Sequence, residues 1–513
     1  MWARAHTPFR AFVRRRIGAP DGRSPTCAHR ARIFLRETLT VVCLAVLCWL
    51  PVSSVASASE QAQGRPNIVL VFIDDMGWGD FSCFGNTAVE TQNFDRLAAE
   101  GIRFEQFYVN SPICSPSRVA ISTGQYPHRW KITSYLDNRQ RNIDRGVAQW
   151  LDPAAPMLAR VLHDAGYATG HFGKWHMGGQ RDVGEAPLIT EYGFDESLTN
   201  FEGLGPRVLG LKNAWNGKPP QKHTLGSDQL GRGEIQYVDR SVVTEVFTSA
   251  ALKFIRKAAD EERPFYVNLW PDDVHSPFFP PKARRGDEQK RTLYHGVLDT
   301  ADEQIGVLLD FIRSDDRLRQ NTLILVCSDN GPEQGAGSAG PFRGFKTHLY
   351  EGGIRSPLIV WGPGLVNAAK AGTVNRESFL AAIDLAPSLL NLAGISVPEG
   401  IAFDGQSLPD VLTGQSAASR TRPLFFRRPP DRDSFYGVED LPDLAVRDGR
   451  WKLLCEYDGT DAQLFDLDTD PAGATDVHTQ HPDVTERLKS AVVDWHTSMP
   501  QDKGAVFRLP QNR

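Results

Sequence analysis

The stretch Asn67-Ile68-Val69-Leu70-Val71-Phe72-Ile73-Asp74-Asp75 decides the fold. After Asn67 come six apolar residues in succession, four of them β-branched. A strand with one wet face alternates polar and apolar residues, and this one does not. It therefore predicts a strand buried on both faces, as in a parallel sheet covered by helices. The run stops at two adjacent acids, Asp74 and Asp75, which cannot extend a dry strand.

The same pattern returns further along the chain. Pro264-Phe265-Tyr266-Val267-Asn268-Leu269-Trp270, Thr322-Leu323-Ile324-Leu325-Val326-Cys327 and Pro357-Leu358-Ile359-Val360-Trp361 predict further strands, and Tyr167-Ala168-Thr169 a short one. Helical patterns separate them, at 92–100, 156–165, 242–260, 294–314 and near 377–393. The first has Phe94, Leu97 and Ala98 at helical spacing and Gly101 as a cap. Strands alternating with helices predict an α/β fold: a large mixed, mostly parallel sheet sandwiched by helices. After about residue 415 the pattern changes to short strands at Leu424-Phe425-Phe426, Leu444-Ala445-Val446, Trp451-Lys452-Leu453-Leu454 and Gln463-Leu464-Phe465-Asp466-Leu467, with a last helix at about 483–497. This predicts a smaller antiparallel sheet plus a helix. The expected organisation is a leader at 1–58, a main domain at 65–415 and a C-terminal subdomain at 416–513.

The 513 residues are 41% hydrophobic and 23% charged, ordinary for a globular protein and unlike collagen, coiled coil or disorder. Residues 1–37 hold nine Arg, no Lys, and only Asp21 and Glu37 as acids. The apolar run Thr38–Leu50 follows, then the small-residue site Ala56-Ser57-Ala58. That order predicts a Sec-type signal peptide and a secreted or periplasmic protein. The run falls short of the ~20 apolar residues of a membrane span. Loss of residues 1–58 takes Lys+Arg from 57 to 48 and Asp+Glu from 62 to 60, leaving a net charge near −12. Such a chain offers no basic surface to nucleic acid or an anionic membrane, so an anionic substrate must be held by a local pocket. Four cysteines remain, Cys83, Cys114, Cys327 and Cys455. They are too few for a disulfide scaffold, and one pair among Cys83, Cys327 and Cys455 is open.

Two strand ends carry chemistry. Ile73-Asp74-Asp75 closes one strand and Ser328-Asp329-Asn330-Gly331 another. In parallel α/β sheets ligands bind beyond the carboxyl ends of the strands. Three carboxylates and an amide oxygen there suit a hard cation, calcium first and magnesium second. Either pair alone also reads as a turn. Next, Cys114-Ser115-Pro116-Ser117-Arg118, followed by Thr123-Gly124, puts Pro and Ser in the first turn of a helix and Cys114 at its N-terminus, where free N–H groups favour an anion. Arg118 lies one turn on. Alone, such a cysteine also reads as a buried structural thiol, or as a thiolate nucleophile with a His base.

In Gly173-Lys174-Trp175-His176-Met177-Gly178, an extended segment turns Lys174 and His176 to the same side. Lys174 there suits an anionic oxygen and His176 a moving proton. His275, in Val274-His275-Ser276-Pro277, follows a strand end and also reads as a structural histidine. Lys346 sits in the Gly-rich loop Gly344-Phe345-Lys346-Thr347, which allows close approach to a ligand. Glu351 and Arg355, at helical spacing, read as structural. Residues 128–150 and 203–240 read as loops around the pocket that set substrate choice. Within 193–203, Glu202 reads either as a contact to a substrate hydroxyl or as a solvent-facing acid.

These segments, in this order, resemble the type I sulfatases that use formylglycine, of the alkaline-phosphatase-like superfamily. The resemblance runs from about Asn67 into the C-terminal subdomain. Cys114-Ser115-Pro116-Ser117-Arg118 and Gly340-Pro341-Phe342 look most like N-acetylgalactosamine-6-sulfatases and arylsulfatase A. The resemblance implies that a separate maturation enzyme oxidises Cys114 to formylglycine, whose hydrate attacks the sulfur of a sulfated saccharide. It implies calcium on Asp74, Asp75, Asp329 and Asn330, in contact with the group made from Cys114. Arg118 would orient the hydrate, and Lys174 and Lys346 would bind sulfate oxygens. His275 would protonate the leaving alcohol, and His176 would take the proton in the elimination step. The same fold and ligands would also serve a phosphodiesterase or phosphonate hydrolase, and a polysaccharide-binding protein could retain the fold without the chemistry.

Overall fold

The computed structural model describes residues 64–213, 219–431 and 441–503, so the expected leader lies outside the described residues. The main sheet is assembled from β1 Asn67–Ile73, β2 Ile102–Tyr108, β3 Ala168–Gly173, β4 Glu196–Thr199, β5 Arg207–Lys212, β6 Gln221–His223, β7 Ile235–Asp239, β8 Phe265–Trp270, β9 Thr322–Ser328, β10 Arg355–Trp361, β11 Thr373–Asn375 and β12 Leu380–Ala381. Its order is β11-β2-β10-β9-β1-β8-β3-β4-β5-β6, with β12 on β2 and β7 on β5. β1 runs parallel to both β8 and β9, and β8 continues in parallel to β3 and β4. β10 is antiparallel to β9 and β2, which makes the sheet mixed. The carboxyl ends of β9, β1, β8 and β3 therefore open on one edge, side by side.

β1 feeds two cores. Ile68, Leu70 and Phe72 point into one, with Val119 and Ile121 of helix α2 (Cys114–Thr123), Leu158 of α3 (Leu158–Asp164) and Leu389 of α6 (Ala382–Leu392). Val69, Val71 and Ile73 point into the other, with Leu97 of α1 (Gln92–Glu100), Phe247 of α4 (Val243–Asp260) and Leu298 of α5 (Lys290–Ser314). With both faces apolar, alternation does not select the register. The acids at the strand's end do, because a one-residue slip would pull Asp74 into the dry sheet.

Several boundaries and elements differ from expectation. Part of the expected helix near 377–393 is strand β12, and α6 starts only at Ala382. β2 and β4 to β7 are not predicted by the sequence pattern. β2 carries Arg103, Glu105 and Gln106 among its apolar residues, and β6 is only Gln221-Lys222-His223, so neither shows a usable period. Residues 203–240, expected as loops, hold β5, β6 and β7 and extend the sheet. All four cysteines of the described residues are free, so no pair forms among Cys83, Cys327 and Cys455.

The second sheet is four-stranded and antiparallel: β13 Leu424–Arg427, β14 Leu444–Asp448, β15 Trp451–Cys455 and β16 Gln463–Asp466, covered by helix α7 Pro482–Ser498. Its core is shared with the main sheet, since Tyr108 and Phe379 pack with Phe426, Val446, Leu453 and Val492. A buried ionic knot joins the two sheets. The Glu351 carboxylate accepts hydrogen bonds from Tyr108 Oη (2.5 Å), Arg355 Nη1 (3.1 Å) and Lys452 Nζ (2.7 Å). Glu351 and Arg355 thus take the structural place expected of them.

Burial opposes ionisation of Glu351, but Lys452 and Arg355 win and hold its carboxyl down at about 2. A carboxyl depressed in the folded state adds stability above its unfolded value of 4.5, and that stability fades as pH falls through about 2. Glu351→Gln leaves Lys452 and Arg355 buried without their anion and is expected to cost about 3–5 kcal/mol in urea unfolding at neutral pH. The variant should also lose part of the acid sensitivity between those two pH values. An unchanged urea midpoint would remove the knot from the account of stability.

Candidate active site

Asp74 and Asp75 leave β1 in succession. Asp75 takes φ 57°, in the left-handed region that Asp tolerates better than most residues. That turn lets two consecutive carboxylates join one cluster instead of pointing to opposite faces. Asp75 N–H donates to Asp329 Oδ1 (3.1 Å), and Asn330 Nδ2 donates to Asp75 Oδ1 (2.8 Å). Arg118 Nη2 donates both to Asp74 Oδ1 (3.1 Å) and to Asp329 Oδ2 (2.8 Å). Carboxylate oxygens of Asp74, Asp75 and Asp329 and the Cys114 sulfur lie within 4.8 Å of one another, all buried.

This set fits a hard divalent cation on two grounds. Asn330 Oδ1 is buried with no hydrogen-bond partner, an orphan acceptor beside three carboxylates. Burial and the neighbouring Asp74 also push Asp329 up to about 8, even against Arg118. The carboxylates are more crowded than the chain's own cations relieve. Asp74 goes the other way: burial would raise it, but Lys174, His275 and Arg118 together hold it well below the usual carboxylate range.

Cys114 is the first residue of α2, a ten-residue helix buried throughout. Its Sγ lies 4.0 Å from Asp75 Oδ1. Both serines of the motif serve the local fold. Ser117 Oγ donates to the Ser111 carbonyl (2.8 Å), and Ser115 Oγ accepts from Leu136 N–H (3.0 Å). Arg118, one turn on, has its guanidinium 5.3 Å from the Trp270 ring centre and 5.6 Å from that of Phe72. Its Nη1 donates to the Lys174 carbonyl (3.1 Å). Burial and the Asp74 carboxylate push the Cys114 thiol well above its ordinary range, outweighing Lys174 and Lys346. An unmodified thiolate nucleophile needs the opposite setting.

Lys174 and His176 reach the cavity by a turn and not by the extended alternation expected of them. Gly173 has φ 124°, and a Cβ there would stand 2.1 Å from the Trp270 carbonyl oxygen, so only glycine lets β3 break off at this point. His176 follows at φ 53°. Lys174 Nζ then donates to Asp74 Oδ2 (2.7 Å), and Lys346 Nζ donates to Asp75 Oδ2 (2.6 Å). The Lys346 loop is pinned beside the start of α2 by Thr347 N–H donating to the Pro112 carbonyl (2.8 Å). His275 Nε2 stands 3.5 Å from Asp75 Oδ2. Burial lowers the His275 imidazole, against the pull of Asp75.

Cys114, Lys174, His176, His275, Lys346 and Asp74 line a cavity of about 260 Å³. Arg118, Asp75, Asp329 and Asn330 lie buried behind them, so the residues singled out from the sequence come together. Others in the wall were not foreseen, among them Tyr135, Arg181, Phe201, His223, Arg240 and Asp272. One signal was available for Asp272: Asp272-Asp273 follow β8 as Asp74-Asp75 follow β1. Asp272 Oδ2 accepts from Asn200 Nδ2 (2.8 Å), and Arg240 Nη1 donates to Asp272 Oδ1 (3.2 Å) and Asp273 Oδ1 (2.5 Å). Glu202 does not face solvent. It is 4% exposed, lines the cavity, and has Oε2 3.2 Å from His176 Nε2.

Comparison with known proteins gives two family matches: sulfatase over residues 66–395, and N-sulphoglucosamine sulphohydrolase, C-terminal, over residues 340–497. An N-acetylgalactosamine-6-sulfatase of Canis lupus familiaris is 33% identical over 398 residues, covering 74% of this chain and 72% of its own length. An N-acetylgalactosamine-6-O-sulfatase of Bacteroides thetaiotaomicron is 29% identical over 501 residues, covering 83% of this chain and 92% of its own. The crystal structure of Ps i-CgsB in complex with k-i-k-neocarrahexaose superposes with a TM-score of 0.68 at 25% identity, over 85% of this chain and 94% of that one.

The crowded carboxylates and the orphan Asn330 oxygen predict stabilisation by a divalent cation. At a cation concentration 100 times its Kd, the gain in unfolding free energy should be about 2.7 kcal/mol, read as a rise in Tm reversed by chelator. Asp329→Ala should abolish the response. A Tm indifferent to cation and chelator alike would exclude the site.

Proposed function

This chain belongs to the sulfatase family and is a sulfate ester hydrolase, and from that premise we propose that it desulfates a carbohydrate through a formylglycine made from Cys114. The observation that carries the reading is the setting of Cys114: first residue of a buried helix, 4.0 Å from a carboxylate of an all-oxygen cluster, with Arg118 one turn away. A separate maturation enzyme would convert the thiol, and the hydrated aldehyde would supply the oxygen nucleophile.

Asp74, Asp75, Asp329 and Asn330 would hold the cation, calcium in preference to magnesium, because magnesium demands a near-ideal octahedron that this irregular set does not suggest. When bound, the ion supplies positive charge against the sulfate oxygens. Lys174 and Lys346 each have three N–H donors, so each can keep its carboxylate and still donate to a sulfate oxygen. Arg118, clamped between Asp74 and Asp329, would fix the start of α2 and orient the group at position 114. His275, nearer the cavity mouth, would protonate the leaving alcohol oxygen. His176, which also lines the cavity, would accept a proton as sulfate departs. Preorganised positive charge of this kind is worth a factor of ~10²–10³ in rate per donor lost, so Lys346→Ala should lower kcat by about that much.

The substrate we infer is a sulfated sugar, by analogy with the N-acetylgalactosamine-6-sulfatases it resembles at 33% identity. Tyr135 and Phe201 in the cavity wall offer ring faces for a saccharide. An exported enzyme would meet such sugars, and residues 1–58 would be its leader. No helix among the described residues is long and apolar enough to cross a membrane.

Mass spectrometry of the tryptic peptide from Phe104 to Arg118, from a host with the maturation enzyme, should show the aldehyde at Cys114. Cys114→Ala should fold and lose turnover of an aryl sulfate. Only thiol in a fully active preparation would overturn the formylglycine reading. Chelation should abolish turnover, and calcium should restore it better than magnesium; activity that survives chelation would end the metal assignment.

A further inference from the structure

His176 and Glu202 are held together twice. His176 N–H donates to the Glu202 carbonyl (2.7 Å), and the Glu202 carboxylate Oε2 stands 3.2 Å from His176 Nε2. Nε2 also lies 2.9 Å from the Leu136 carbonyl oxygen. A carbonyl only accepts, so Nε2 carries the hydrogen and Nδ1 bears the lone pair of the neutral ring. That Nδ1 is buried and has no partner. The Nε2–H is directed at Leu136, and Glu202 Oε2 lies beside that line as an ion-pair neighbour with no linear donor of its own.

The arrangement is anchored from both sides. Ser115, of the Cys114 motif, fixes Leu136 through its main-chain N–H (3.0 Å). Glu202 N–H donates to Asn200 Oδ1 (2.8 Å), and Asn200 Nδ2 in turn donates to Asp272 at the end of β8 (2.8 Å). A carboxylate buried to 4% exposure beside an imidazole whose free nitrogen is unpartnered is the arrangement that stabilises an imidazolium formed during turnover.

We propose that Glu202 is a positioning residue for the hydrolysis: the Leu136 carbonyl holds the His176 ring with Nδ1 free, and the Glu202 carboxylate, 3.2 Å from Nε2, offsets the charge the ring acquires when Nδ1 takes a proton. The inference rests on the proton-accepting role proposed for His176. In that step an O–H bond of the hydroxyl at position 114 would break, its electron pair would form the C=O as the carbon–oxygen bond to the departing sulfate breaks, an Nδ1–H bond would form, and the proton would then pass to water that enters as sulfate leaves. The need for an anion is physical. Burial, Lys174, Arg118 and Arg181 all hold the His176 imidazole well below its usual range. Glu202 is the carboxylate nearest the ring. Burial pushes its own carboxyl above the usual range, and Arg181, with Nη2 3.9 Å from Oε1, and Lys174 only partly oppose that rise.

The test uses the full, matured enzyme with an aryl sulfate. Glu202→Gln should lower kcat by about 10- to 100-fold with KM nearly unchanged, the range expected when a general base is weakened but not removed. The acidic limb of its kcat profile should move to lower pH, because the imidazolium becomes harder to form. Glu202→Asp should recover part of the rate. In a His176→Ala background, Glu202→Gln should have almost no further effect. Tm and the conversion of Cys114 are measured alongside, so that misfolding is separated from lost chemistry. If His176→Ala lowers kcat while Glu202→Gln leaves kcat and the profile unmoved, the pairing is wrong and the role of His176 stands. If Glu202→Gln raises KM alone, or adds fully to His176→Ala, Glu202 acts on substrate and the pairing is overturned. If His176→Ala itself keeps full kcat, both the pairing and the role of His176 fall.

Discussion

The Arg118 guanidinium, fully buried and shared between Asp74 and Asp329, is the constraint from which the rest of the structure follows. Two adjacent strands end in carboxylates that face one another at the edge of a dry sheet. Left to themselves they would repel and draw in water. One planar cation bonded to both turns that repulsion into a fixed geometry, and the aromatic rings of Phe72 and Trp270 cover its remaining faces. Because Arg118 sits one turn into α2, the same contact aligns the helix that begins with Cys114.

The surrounding polar groups extend this logic. Lys174 and Lys346 each reach one of the two successive aspartates, from β3 and from a Gly-rich loop on opposite sides of β1. A buried site rich in both signs is costly unless each charge is bonded, and here almost every one is. Among the buried polar atoms left without a partner are Asn330 Oδ1, an acceptor beside the acids, and His176 Nδ1. The first suits a cation and the second suits a proton, the two species a hydrolysis of sulfate esters has to manage.

Far from the cavity, the same economy of charge joins the two sheets. Glu351 collects Tyr108, Arg355 and Lys452 from three strands, so the small antiparallel sheet is tied to the main one by bonds that exclude water as well as by shared apolar core. This matters for the site because Glu351 and Arg355 lie on the helical turn Glu351–Ile354 and the start of β10, just after the Lys346 loop.

The amino-acid sequence by itself determined the kind of fold and which residues were candidates for chemistry, and the family resemblance those motifs carry implied their roles. Short unbroken β-branched apolar runs predict strands dry on both faces, which puts the acids that follow them at the sheet's carboxyl edge. Pro and Ser in Cys-Ser-Pro-Ser-Arg favour the first turn of a helix. Those inferences depend on local periods and on residue type, which a linear string records. Only the tertiary structure decided which groups meet. Asp75 and Asp329 are bonded across 254 positions of chain, and β1 and β9 bring them together by pairing in parallel. Asp272 carries the mark of an acid pair after a strand, and His223 and Arg240 fall in the 203–240 region read as pocket loops, but the absence of a hydrophobic period there leaves the individual residues unmarked. Glu202 is the clearest case. Its neighbours in sequence left it either on a substrate or in solvent, and the left-handed turn at His176 placed it against the imidazole instead. Distances between such groups are set by the packing of layers built from distant segments, and no local pattern carries that information.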